Sequence, residues 1–95
     1  GDPLFDIDPS VYALKVRQAE AQLKRSQETS EGYKIEYDRV KSIAKRDKGA
    51  VSQKDLNRNR VNYLKSLSDI DVAKERLHNA KLNLSYCSVK AEVDG

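Results

Sequence analysis

The side chains that could do chemistry in this chain are few and scattered. Its one histidine, His78, has no second nitrogen or thiolate ligand at helical spacing, so it reads as an exposed helix residue rather than a metal ligand. Asp6 and Asp8 share a strand face by alternation, but Asp8 precedes Pro9, where a carboxylate is better explained as a helix cap than as half of an acid–base pair. Serines are plentiful, yet none has a histidine and an orienting acid in reach, so none resembles an activated nucleophile. No glycine cluster is arranged to cradle a phosphate. The single cysteine, Cys87, cannot form an internal disulfide and reads as a buried or half-buried structural thiol. No catalytic, cofactor-binding or metal-binding set emerges, and these residues do not describe an enzyme.

What stands out instead is charge. The formal net charge is only +3, from 18 Lys and Arg against 15 Asp and Glu, too mild to argue for nucleic acid by itself. Its distribution is uneven. From Arg39 to Arg60 there are eight bases (Arg39, Lys41, Lys45, Arg46, Lys48, Lys54, Arg58, Arg60) against two acids, Asp47 and Asp55. At their centre lies Ser42 to Leu56, "SIAKRDKGAVSQKDL". A turn needs a glycine and a helix cap, which Gly49 and Ser52 supply. It does not need so many bases, which repel one another, nor an exposed Ile43 and a Val51 beside the bend. Either the charges are solvated and tolerated, or a partner neutralises them.

The elements that must carry this turn are two helices. Asp8-Pro9 is a good start, with a capping carboxylate and a proline at the first helical position. Tyr12, Val16, Ala19, Leu23, Ser26, Ser30, Tyr33, Tyr37, Val40 and Ala44 then follow at alternating steps of four and three. That spacing keeps one stripe in register along a supercoiled helix. It predicts a helix from about residue 9 to about 45, roughly 55 Å long. A second series of equal length, Ser52, Leu56, Asn59, Tyr63, Ser66, Ile70, Ala73, Leu77, Ala80 and Leu84, predicts a helix from about 52 to 84. Ser52 is its N-cap, with Asp55 three residues on as a weaker capping-box acid. Between them lies the connection, 46–51, with Gly49 available for a left-handed turn conformation. A link this short makes the helices antiparallel.

The seam is thin. Ala19, Ser26, Ser30, Asn59, Ser66, Ala73 and Ala80 bury little apolar area, against roughly 1.5–3 kcal/mol for a fully buried Leu or Ile. Gly32, inside the first arm, costs about 1 kcal/mol relative to alanine. A flexible rod of modest stability is expected. Asn59 either fixes register or stays wet at the edge. Tyr12, Tyr33, Tyr37 and Tyr63 fall on the seams and read as packing residues. With 35% charged and 6% aromatic residues, the chain cannot fill a broad globular core, but it can supply a coiled-coil seam. Mean hydropathy is −0.79, and no run of about eighteen apolar residues suggests a membrane span.

The flanks differ. Leu4-Phe5-Asp6-Ile7 alternates apolar and acidic residues, and Val89, Ala91 and Val93 share one side of Ser88–Val93. Both read as strands, at the open base of the hairpin. Two short strands are not stable alone, so their sheet is expected outside the chain, with the hairpin inserted into a β domain. Opening on Gly1-Asp2-Pro3, the chain reads as an excised fragment whose targeting sequence lies elsewhere.

Three stretches, "LFDIDPSVY", "GAVSQKDL" and "AKLNLSYCSVKAEVDG", together resemble the periplasmic adaptor family. These are the membrane fusion proteins, HlyD-like and AcrA-like, of tripartite efflux pumps and type I secretion systems of Gram-negative bacteria. In the leading segment Leu4, Phe5, Ile7, Asp8, Pro9 and Tyr12 match the family pattern. In the returning one Leu82, Leu84, Tyr86, Val89, Ala91, Asp94 and Gly95 match, while Cys87 stands where threonine is usual and Glu92 where proline is usual. The family's turn carries an Arg-x-x-x-Leu pattern and then a serine. Arg39 fits the arginine, Ile43 takes the leucine position and Ser52 fits the serine, in a loop about two residues longer than the usual pattern.

The resemblance implies a mainly α fold: a long antiparallel two-helix coiled-coil hairpin (9–84), with short β segments at its base (1–8 and 85–95) from a split lipoyl-like, barrel-sandwich domain. It implies a non-enzymatic adaptor in the periplasm, its parent anchored to the inner membrane and bridging a transporter of RND, ABC or MFS class to an outer-membrane channel of TolC type. Arg39, Ile43 and Ser52 would be the channel-docking residues, and the assembly a homo-oligomer, often hexameric, with no cofactor and no nucleic acid. Two rival readings of the residues stay open: a basic helical hairpin that binds nucleic acid, with salt-sensitive affinity, and a generic coiled-coil dimerisation module.

Overall fold

The computed structural model describes the backbone of residues 9–94 and the side chains of residues 9–87. Two helices make up the described residues, α1 (Pro9–Arg46, 38 residues) and α2 (Gln53–Asp94, 42 residues). Pro9 opens α1 at the position where its missing N–H breaks no hydrogen bond. Lys45 and Arg46 close it, placing positive charge where the helix dipole is negative. The molecule measures 72 × 16 × 15 Å, which is the outline of a rod two helices wide.

The helices run antiparallel along their length. Tyr37 stacks on Tyr63 near the turn, Tyr33 and Ser66 line one groove lower down, and Ser26 and Ala73 line another lower still. As one number falls the other rises, so each residue of α1 has a fixed opposite on α2. The stripe anticipated from spacing is the stripe that is covered: Ser30 and Val40 of α1, with Ser66 and Ala73 of α2, are buried, and beyond the end of that stripe Cys87 is buried too. Most other seam positions are half-buried. Tyr33 is the exception on α1, 41% exposed, because its partner across the seam is a serine too short to cover it.

No large side chain is fully buried among the described residues; the apolar core comprises Val40, Ala73 and Cys87. Small seam residues bring the helices together while contributing little transfer free energy. The buried Ser66 is tolerated because its hydroxyl has a nearby acceptor: Ser66 Oγ donates to the Tyr63 carbonyl at 2.5 Å. Such back-bonding satisfies the hydroxyl within its own helix.

Three expectations need correction or qualification. The strand expected over 88–93 is absent there, since the backbone of α2 stays helical through Asp94. A strand needs a neighbour for its N–H and C=O groups, whereas a helix satisfies them internally, and no strand is present among the described residues to offer that pairing. The companion segment Leu4–Ile7, and Asp8 as the cap of α1, lie outside the described residues. Gly49 has no positive φ, so the turn does not use the left-handed conformation that glycine alone permits cheaply. Ile43 and Val51 are half-buried rather than exposed, because the reversal folds the ends of both helices over one another.

Candidate functional site

The projecting turn is built by side chains that bond to nearby backbone. The Asp47 N–H donates to the Ile43 carbonyl at 2.9 Å, the last helical bond of α1. Asp47 then closes the bend: its carboxylate accepts the Gly49 N–H at 3.0 Å and its carbonyl accepts the Ala50 N–H at 3.1 Å. An aspartate bonding to the backbone two residues on makes an Asx turn, and this device removes the need for positive φ at Gly49. Asp47 was not singled out from sequence. Its signal was available, an aspartate two residues ahead of a glycine in a polar break.

Ser52 starts α2. Its hydroxyl accepts the Asp55 N–H at 3.0 Å, and its carbonyl accepts the Leu56 N–H at 3.0 Å. This is the N-cap arrangement anticipated from sequence. The Asp55 side chain turns to Arg58 instead, at 3.0 Å. Ser52 is exposed, so a partner can approach it, but its hydroxyl is already engaged as an acceptor.

Arg39 lies a little over one turn before Ile43 on α1, exposed, with its guanidinium on the Glu36 carboxylate. The hydrogen bond from Arg39 holds the Glu36 carboxyl below its ordinary value and raises the arginine in return. Glu36 was not part of the expected tip, although an acid three residues before a base on one helix is a known pairing distance. Lys41 sits over the Tyr37 ring, 4.9 Å from its centroid. Arg60 bonds the Asn57 side chain at 2.9 Å. Part of the positive charge near the turn is thus held by its own helix. Lys45, Arg46, Lys48 and Lys54 form an exposed group at the tip itself.

The three residues anticipated for docking therefore all lie at one end of the rod but in different states. Arg39 is on the flank of α1 and paired, Ile43 is half-buried, and Ser52 is a cap on the far side of the bend. Away from the tip, His78 is exposed on α2, and no group of three or more His, Cys, Asp or Glu among the described residues could hold a metal. Among the described residues no helix is long and apolar enough to cross a membrane.

No protein-family model matches the chain. No solved structure matches it at significance. Curated relatives do. Over all 95 residues the chain is 30% identical to Multidrug resistance protein MdtA of Proteus mirabilis and covers 23% of that protein. It is 32% identical over 95 residues to MdtA of Pantoea ananatis, covering 23% of it, and 27% identical over 95 residues to Multidrug resistance protein MdtE of Escherichia coli K12, covering 24%. The chain thus spans less than a quarter of the length of these relatives. Along its whole length the hairpin is thus similar to a segment of the multidrug resistance proteins MdtA and MdtE, in keeping with the membrane fusion family that its two ends and its turn resemble.

Proposed function

We propose that this hairpin is the projecting arm of a periplasmic efflux adaptor, which joins an inner-membrane transporter to an outer-membrane channel and docks on the channel through its turn. The carrying observation is the similarity along the whole chain to multidrug resistance proteins, in a rod whose far end concentrates positive charge. The described residues form a thin, extended, two-helix arm. It has two long exposed faces and a charged end, which suit a mechanical and electrostatic role.

In this reading Arg39 meets an acidic group of a channel of TolC type, Ile43 provides apolar contact, and Ser52 fixes the direction of α2 at the contact. Arg39 exchanges Glu36 for the partner's carboxylate. That exchange is cheap because a solvent-exposed pair contributes little. Residues 1–8 and 85–95 complete a split lipoyl-like domain in the longer protein, where strands across the gap supply the hydrogen bonds that 88–93 now makes as helix. Several adaptors, six in the assembled pump, stand side by side around the substrate path.

Charge reversal at the tip tests this. In the full-length protein, Arg39→Asp and Ser52→Asp are expected to abolish drug efflux while helicity by circular dichroism is unchanged. Normal transport by both variants would remove the docking role from the turn.

A further inference from the structure

The thin seam opens a groove on one flank of the rod, about 300 Å³ in volume. Its floor is Ser26 of α1 and Ala73 of α2, and its sides carry Arg25 and Thr29 of α1 with Asp69 and Arg76 of α2. The space exists because both floor residues are small. Larger seam residues at these two positions would fill it.

Arg25 and Arg76 line this groove from opposite helices, and neither has a carboxylate partner. The ion pairs among the described residues are Arg39 with Glu36 and Arg58 with Asp55, both near the turn. Asp69 lines the same groove but stands seven residues from Arg76 along α2, about 10 Å by helical rise, too far for direct pairing. Two guanidinium groups thus line one cleft from opposite helices. Like charges disfavour a close approach of the two side chains, and an anion between them favours it. A guanidinium presents its donors in a planar fork that matches a carboxylate or phosphate, and the Ser26 and Thr29 hydroxyls add donors in the same groove.

We propose that this groove binds a small oxyanion, a phosphate or carboxylate group, which bridges Arg25 to Arg76 and ties α1 to α2 across the small seam residues Ser26 and Ala73. Asp69 limits the site to a small anion by repelling negative charge from the other end. The proposal does not depend on the adaptor reading, since it concerns the flank of the rod rather than its tip.

Thermal melting of the full-length protein at constant ionic strength tests it, with sodium chloride exchanged for sodium phosphate in one arm and for sodium succinate in the other. A ligand bound only by the folded hairpin raises the melting midpoint with concentration and then follows its binding curve. Binding at this exposed site is expected with a dissociation constant on the order of 1 mM. Arg76→Gln is expected to weaken it about tenfold or more through loss of a charge-assisted hydrogen bond, Arg25→Gln similarly, and Asp69→Asn to tighten it. The two anions say whether the site prefers a tetrahedral or a planar group. Phosphate also stabilises proteins generally by exclusion from their surfaces. A rise of equal size in wild type and Arg76→Gln, or no rise with either anion, overturns the proposal. All three side chains are exposed, and circular dichroism before heating confirms that each variant starts folded.

Discussion

The rings of Tyr37 and Tyr63 meet across the seam with centroids 6.2 Å apart and planes tilted by 33°. Lys41 caps the outer face of Tyr37. This pair is an aromatic contact between the helices and lies between the charged turn and the polar middle of the rod. It clamps the two arms just below the tip, so that the bend is presented on a supported end rather than on two frayed ones.

A double-mutant cycle measures that clamp. Tyr37→Ala and Tyr63→Ala are each expected to lower stability, and the double variant to fall short of their sum by about 0.5–1.5 kcal/mol, the usual coupling of an aromatic pair. Additive losses in denaturant unfolding would show that the rings lie together without interacting.

The two interior glycines are expected to tolerate alanine, for separate reasons. A Cβ at Gly32 would meet nothing within 4 Å, so Gly32→Ala should gain up to about 1 kcal/mol of helix propensity. A Cβ at Gly49 would meet Asp47 Oδ1 at 3.7 Å, an ordinary contact, and φ there is not positive. Gly49→Ala should therefore leave the melting midpoint close to wild type. A large loss at Gly49 would restore the left-handed turn.

Ser52 separates capping from docking. Ser52→Ala removes the acceptor of the Asp55 N–H and is expected to cost about 1 kcal/mol. Ser52→Asp keeps an acceptor in the same place and should be nearly neutral for stability. If Ser52→Asp abolishes efflux while Ser52→Ala only lowers the melting temperature, the position acts at a contact as well as at the cap.

Glu36 gives the tip a dependence on pH. Its carboxyl is held below the ordinary value of 4.5 by the hydrogen bond from Arg39. A depressed folded-state value means the pairing is present in full above pH 4.5 and is lost as pH falls through the lower, folded-state value. The effect on stability is small because the pair is exposed. Its effect on Arg39 is larger, since protonation frees the guanidinium. Glu36→Gln should do the same at neutral pH and strengthen binding to an acidic partner, as measured by surface-immobilised channel protein. Weaker binding by Glu36→Gln would mean that the carboxylate holds Arg39 in its docking geometry.

Finally, the seam predicts a modest melting temperature for the chain by itself. Among the described residues no large side chain is fully buried, so a broad transition at moderate temperature is expected. A sharp one above about 90 °C, in the hyperstable range, would contradict the thin-core reading.

The alternating four-three spacing from Tyr12 to Ala44 and from Ser52 to Leu84 by itself determined two helices, the stripe each would bury and the antiparallel pairing that a short link imposes. Ser52 as a cap was equally legible, because capping is a local contact between neighbours in sequence. Only the folded chain decided the rest. The Asx turn at Asp47 displaced the left-handed Gly49, since two local ways of closing a bend compete and sequence ranks them poorly. Helix continued through 88–93 because strand alternation has no force without a second strand to pair with. Tyr33 was left half-exposed, and Arg25 and Arg76 were brought to one groove, by which residues happen to lie opposite across the seam. Such pairings join positions some thirty to fifty residues apart, and periodicity along one helix carries no record of them.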